Sequence, residues 1–230
     1  MLEPLLNLMS PARRARALHA PLVAWGEAHG LAFSSGKEGA CSLAGEWGGR
    51  PVRIDVQAAS RSYMDGQELS ARCDLGLDPL ASVIVMNRAL KRGIERWGDY
   101  LYSQLTNSLQ TMADTLPEEV RWLATFRDAG WPGPDEAFWA RHAVLTDAPE
   151  LARQMIDEAT VAALMQWPDD AVQADTPLML MRLRGKLQLR LQLNRPRHPA
   201  SEVAALDVFA RLCQRTAQAE GARLDISSRG

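Results

Sequence analysis

Four basic side chains, Arg182, Arg184, Lys186 and Arg190, occupy even positions of an alternating segment, with Arg195 and Arg197 just beyond it. On one face of a sheet they would form a row able to hold phosphate or an anionic partner surface, because guanidinium groups offer paired, charge-assisted hydrogen bonds. The competing interpretation is a solvated face, or charges matched by carboxylates from a covering element. A second candidate is the stretch from Ala58 to Gln67, long for a hairpin connection and carrying Arg61, Tyr63 and Asp65. Its competing interpretation is a mobile surface loop.

Familiar catalytic signatures are missing. Gly36-Lys37 fails as a phosphate loop, since Leu31 stands where glycine is needed and Glu38 where a magnesium-binding hydroxyl is needed. There is no dinucleotide fingerprint opening a helix, no GxSxG elbow and no HExxH. His19, His29, His142 and His198 are scattered and at no metal-ligand spacing. His142 shares strand parity with Phe138, Ala140 and Val144, which predicts a partly buried, hydrogen-bonded ring. The carboxylate pairs Glu118-Glu119, Asp135-Glu136 and Asp169-Asp170 fall at helix starts or turns, where they complement the helix dipole. No catalytic, cofactor-binding or metal-binding residue is therefore assigned. The tryptophans Trp122, Trp131, Trp139 and Trp167 lie near the connector or at helix ends around the second half. They suit either a binding platform or, in preference, packing between the parts of the chain.

Composition bounds the rest. With 47% hydrophobic and 23% charged residues in 230, the chain can bury a substantial core. A net charge of -2 provides no global field for nucleic acid or an anionic membrane, so nucleic acid is not an expected partner. Lys37, Lys91 and Lys186 are the only lysines, a bias better explained by a G+C-rich genome than by anion binding. Cys41, Cys73 and Cys213 lie far apart in apolar segments and predict core thiols in a reducing compartment. No export signal is evident at the N-terminus, and the best apolar run, Leu80 to Met86, is too short to span a membrane. A cytoplasmic location follows.

The elements that must position these residues can be read from periodicity. Ser10 and Pro11 open a helix to His29, broken or kinked at Pro21, with Leu18, Leu22, Trp25 and Ala28 inward. Ahead of it, Leu2, Leu5, Leu6 and Met9 form a short helix or a sticky tail that docks on a partner. Cys41, Leu43 and Trp47, then Val52, Ile54 and Val56, alternate about Gly48-Gly49 and predict a hairpin pairing Trp47 with Arg50, Leu43 with Ile54 and Cys41 with Val56. Leu69 to Leu77 adds a third strand. Ala81 to Met86 suits a strand or a buried helix turn, which periodicity does not separate over so short a run, and helix is preferred. Thr115 to Glu118 opens a helix through Arg127, with Val120, Leu123 and Phe126 buried, and Trp131-Pro132-Gly133-Pro134 makes a rigid connector. A strand from Phe138 to Leu145 and a helix from Pro149 to Met165, capped by Thr146 or Asp147 and closed by Trp167 to Asp170, follow. Met179, Met181, Leu183, Leu187, Leu189, Leu191 and Leu193 keep one parity, so either a long strand or a hairpin with a three-residue loop, Arg184 to Lys186, would hold them on one face. A helix from Ala200 to Glu220 buries Val203, Leu206, Phe209 and Leu212, and Ala222 to Ser227 adds an edge strand or trails off.

The fold class is thus α+β in two halves, each an antiparallel sheet packed with helices. An N-terminal helical segment (1–30) precedes the first half (31–129), a connector (130–136) and the second half (137–230). The order helix, three strands, helix, then strands and helix resembles small bacterial secretion-chaperone folds in topology. These observations point to a non-catalytic protein-binding or scaffolding, chaperone-like module, with a protein partner or a second copy as its ligand. The alternative is an enzyme with an unfamiliar site, built from the Arg61 to Gln67 loop and the basic row, acting on an anionic small molecule.

Overall fold

A computed structural model describes residues 11–105, 116–166, 176–194 and 196–219. The leucines of the first ten residues, Thr115, the stretch from Trp167 to Asp170, Arg195 and the tail from Ala222 lie outside them. No helix among the described residues is long and apolar enough to cross a membrane.

Proline 21 divides the first helix as its geometry requires. Helix α1 (Pro11–Leu18) and helix α2 (Ala20–Ala28) meet at His19, and Pro21 sits in the first turn of α2, where no amide is missed. The break also shifts the helical phase. Leu22 and Trp25 are buried, but Leu18 is 62% exposed and Ala28 is exposed, contrary to a single continuous stripe.

Strands β2 (Cys41–Trp47) and β3 (Arg50–Ala58) pair in the register that alternation predicts, Trp47 with Arg50, Leu43 with Ile54 and Cys41 with Val56. Gly48 and Gly49 both take positive φ, which matches the tight turn to the strand twist. Strand β4 (Gln67–Asp74) completes the meander, and β1 (Ala32–Ser35) extends it at the edge. With one large apolar residue, Phe33, in four, β1 carries no alternation to read.

Beyond the meander several expectations change. Val83–Asn87 is a strand, β5, not a helix, and it leads directly into helix α3 (Arg88–Leu105). The expected helix to Arg127 is shorter: α4 (Glu118–Thr125) starts after Pro117 with no side-chain cap and gives way to β6 (Arg127–Ala129). Glu119, Val120 and Trp122 are its buried residues, while Leu123 and Phe126 are half-buried. The expected strand from Phe138 begins as helix α5 (Glu136–Arg141), capped by Asp135, which accepts from the Phe138 amide at 2.8 Å, before β7 (His142–Thr146). The helix from Pro149 is two, α6 (Pro149–Met155) and α7 (Glu158–Met165), because Asp157 caps a new start by accepting from the Thr160 amide at 3.0 Å. Strands β8 (Leu178–Leu183) and β9 (Lys186–Leu193) and helix α8 (Pro199–Ala219) end the described chain.

The strands form one nine-stranded antiparallel sheet in the order β1-β2-β3-β4-β9-β8-β5-β7-β6. Strands from both sides of the connector interleave, since β4 pairs with β9 and β5 lies between β8 and β7. The fold is mixed α+β.

The β8–β9 turn explains the most consequential difference. It has two residues, Arg184 and Gly185, at φ of 52° and 76°, and pairs Leu183 with Lys186 and Arg182 with Leu187. Such a turn does put the odd-numbered residues of β8 on the opposite face from those of β9. That arrangement is stable because each face has its own core. One face carries Leu187, Leu189 and Leu191 with Leu178 and Leu180, covered by α2, α6, α7 and α8. The other carries Met179, Met181, Leu183, Ile84, Met86 and Leu145, covered by Leu90 and Ile94 of α3 and Val120 and Trp122 of α4. Among the described strands, β8, β5 and β7 are buried throughout, and there the apolar runs do not alternate.

Candidate functional site

Arg182, Arg184, Lys186 and Arg190 do not form a row. Arg182 lies opposite Leu187 on the first face and is 2% exposed, so inversion of β8 removes it from the other three. Arg184, at the turn, donates to Glu118 Oε1 at 2.6 Å, and Lys186 Nζ is 3.1 Å from Asp74 Oδ2. Arg190 Nη1 donates to Glu119 Oε1 at 3.0 Å. Glu118 and Glu119 open α4, where the helix dipole favours carboxylates, and from there they meet the basic strand residues.

The loop between β3 and β4 converges on the same carboxylate. Buried Met64 anchors it, and the Ala59 amide donates to Gly66 O at 2.9 Å to close its base. Arg61 Nη1 is 3.2 Å from Glu119 Oε1, and the Tyr63 hydroxyl donates to that oxygen at 3.3 Å while accepting from Arg190 Nη1 at 3.1 Å. Arg190 also lies 6.0 Å from the Trp122 ring centre. Burial, with the Glu119 charge adding to it against the opposing pull of Arg190, pushes the Tyr63 phenol up to about 12. Tyr63 therefore stays protonated at neutral pH and acts as a hydrogen-bond donor, not a base. Asp65 stands apart, exposed, and its backbone amide donates to Gln192 Oε1 at 2.8 Å.

The outer side of this loop faces α3 across a groove of about 560 Å³. Ser62 and Tyr63 line it from the loop, half-buried Trp97 with buried Leu90 and Ile94 from α3, and Pro177 completes the lining. Arg92 and Arg96 project along the rim. Both are exposed and make no ion pair with a described residue. Elsewhere on the same helix, Arg88 and Lys91 share Asp128, each at 3.5 Å, and Lys91 also meets Glu95.

Two glycines of α3 differ in a way that singles out the groove. A Cβ on Gly98 would press on Val120 Cγ1 at 3.2 Å, so close packing of α4 accounts for it. A Cβ on Gly93 would meet nothing within 4 Å, and Gly93 lines the groove. Glycine inside a helix costs about 1 kcal/mol relative to alanine. No internal contact of the described structure requires Gly93.

The other reactive groups are placed structurally. Cys41, Cys73 and Cys213 are buried in the first core; burial pushes the Cys41 thiol up to about 11 and raises that of Cys213. His142 is buried, stacked on Phe138 with ring centres 5.0 Å apart, and its Nδ1 has no hydrogen-bond partner. Burial, then the Arg141 charge, lowers its pKa to about 4. Buried His19 accepts at Nδ1 from Arg197 Nη1 at 2.8 Å, which leaves Nε2 to donate to Gly39 O at 3.0 Å. Trp122 is buried in the second core, and Trp131 packs edge-on to Trp139 with ring centres 5.0 Å apart. No cluster of three or more His, Cys, Asp or Glu suited to a metal occurs among the described residues.

No protein family matches the chain, and no curated protein and no solved structure does either. The groove residues Arg92, Gly93, Arg96 and Trp97 lie in a stretch whose mixed pattern obscured them. The signal that was present is a pair of arginines at i and i+4, with glycine between them, over Leu90 and Ile94 one turn apart.

Proposed function

We propose that the protein is a non-catalytic binding module, scaffolding or chaperone-like in role and cytoplasmic, which holds a segment of a protein partner in the groove between α3 and the β3–β4 loop. The observation that carries this reading is Gly93, a helix-interior glycine over open space in the groove floor. A missing side chain there lets an occupant's backbone approach the helix closely. Around it, half-buried Trp97 supplies apolar surface above buried Leu90 and Ile94, and exposed Arg92 and Arg96 supply a charged rim. This combination of buried anchor surface and polar border is how peptide grooves are built.

A second reading, an enzyme acting on an anionic small molecule at the same place, is favoured by the groove's volume of about 560 Å³, which lies in the range of small-molecule sites. Tyr63, held protonated, would serve such a site as a hydrogen-bond donor.

Capture of tagged full-length protein and of its Gly93→Leu variant from native extract, with mass spectrometry of protein and small-molecule fractions, separates the two. A stoichiometric protein partner that is lost in Gly93→Leu, with circular dichroism unchanged, supports the binding module. A partner retained by Gly93→Leu overturns the groove assignment, and co-purification of an anionic metabolite in place of a protein favours the enzyme.

A further inference from the structure

Resting on the groove reading, we propose that its occupant is an extended acidic segment of the partner protein with the pattern acidic, apolar, acidic. The geometry of α3 sets this pattern. Arg92 and Arg96 are four residues apart, so they stand about 6 Å apart along the helix axis on one side. In an extended chain, side chains at i and i+2 point the same way and are separated by about 6.6 Å, while the one between them points the opposite way. A segment laid along Gly93 therefore offers two carboxylates to the arginine rim and turns its central side chain to Trp97 above Leu90 and Ile94. Gly93 is what allows the segment's backbone to lie at that depth, since the helix presents no side chain there.

Charge argues for an acidic occupant. The rim supplies two arginines with no ion-pair partner among the described residues, and the chain as a whole carries a net charge of -2. On the neighbouring polar face of the sheet Asp55 is paired with Arg53 at 2.9 Å, and buried Glu68 lies among Arg61, Arg72 and Arg190. Carboxylates also receive guanidinium donors two at a time, which fixes the segment's register on the rim.

The test uses full-length protein and fluorescent peptides of roughly ten residues, centred on Glu-Leu-Glu, Gln-Leu-Gln, Lys-Leu-Lys or Glu-Ser-Glu, read by polarisation at about 0.1 M salt. Saturable binding of the Glu-Leu-Glu peptide is expected, weakened at least about tenfold in Gln-Leu-Gln and Glu-Ser-Glu, and likewise in the Arg92→Ala/Arg96→Ala and Gly93→Leu variants. Arg72→Ala, an exposed arginine on the sheet face, should leave it unchanged. Equal binding of Gln-Leu-Gln, or no binding of any peptide, overturns the acidic pattern, and partner capture that still depends on Gly93 would then leave the groove reading standing. Displacement of the Glu-Leu-Glu peptide by an equal concentration of free glutamate, or of a short single-stranded oligonucleotide, overturns the proposal in favour of a small anion or a nucleic acid.

Discussion

Arg190 on β9 and Glu119 on α4 meet at 3.0 Å with Glu119 only 3% exposed, and this pair joins the sheet to the helix that covers its second face. Arg61 and Tyr63 bond to the same carboxylate oxygen, so the β3–β4 loop is fastened through it. One buried charge thus sets the position of the groove's outer wall.

Removing that charge should destabilise the protein strongly. Glu119→Ala leaves Arg190 without its carboxylate in a buried setting, and breaking a buried pair from one side costs about 3 kcal/mol or more. Urea denaturation should show a lower midpoint at unchanged slope. Glu118→Ala should cost little, because its partner Arg184 is exposed at the turn.

The glycines of α3 should respond in opposite ways. Gly93→Ala fills open space and restores helix propensity, so a gain of about 1 kcal/mol is expected. Gly98→Ala must displace Val120, 3.2 Å from the new Cβ, and the gain should vanish or reverse. Thermal unfolding of the two variants side by side checks this.

Stability should fall in mild acid because His142 is buried neutral. Its folded pKa of about 4 lies below the ordinary value of 6.5, so the unfolded chain binds the extra proton first. The stability linked to this ring is fully present above pH 6.5 and is lost as pH falls towards 4, amounting to about 2 kcal/mol at pH 5. His19, its pKa also lowered, by burial and then Arg197, acts in the same direction. Denaturation at pH 7 and pH 5 should show the loss, and His142→Gln should reduce the difference between the two.

At the β8–β9 turn, Gly185→Ala should cost about 2 kcal/mol or more, since φ is 76° and the new Cβ would sit 2.8 Å from Leu77 O. Arg184→Asn should stabilise by a few tenths of a kcal/mol, because asparagine tolerates the positive φ that arginine adopts there. Chemical denaturation of both variants, measured against the parent, distinguishes this turn from a three-residue loop.

The parts legible in the sequence are those where one face of a strand is covered and the other is wet. Alternation of Leu43 with polar neighbours and of Ile54 with Arg53 and Asp55 set the β2–β3 register, and helix α8 declared itself by the spacing of Leu206, Phe209 and Leu212. The same logic failed at β8, because Met179, Met181 and Leu183 bury on one face while Leu178, Leu180 and Arg182 bury on the other. A shared parity across Gly185 then looks like a single apolar face although two cores lie behind it. It also made Arg182 look surface-bound and gave the appearance of a basic row. Val83 to Asn87, buried throughout, carries no periodicity to separate strand from helix. The convergence of Arg61, Tyr63 and Arg190 on Glu119 depends on how α4 crosses the sheet, which no local pattern encodes. Gly93 became informative only once the space above it was known to be empty.

The most direct test of the groove is photo-crosslinking in native extract from a benzophenone side chain placed at Ala89, which lines it, with Ala24 on the exposed side of α2 as the control position. A discrete protein adduct is expected from position 89, absent from position 24 and lost when Gly93→Leu is added. No adduct from position 89, or the same adduct from both positions, would contradict it.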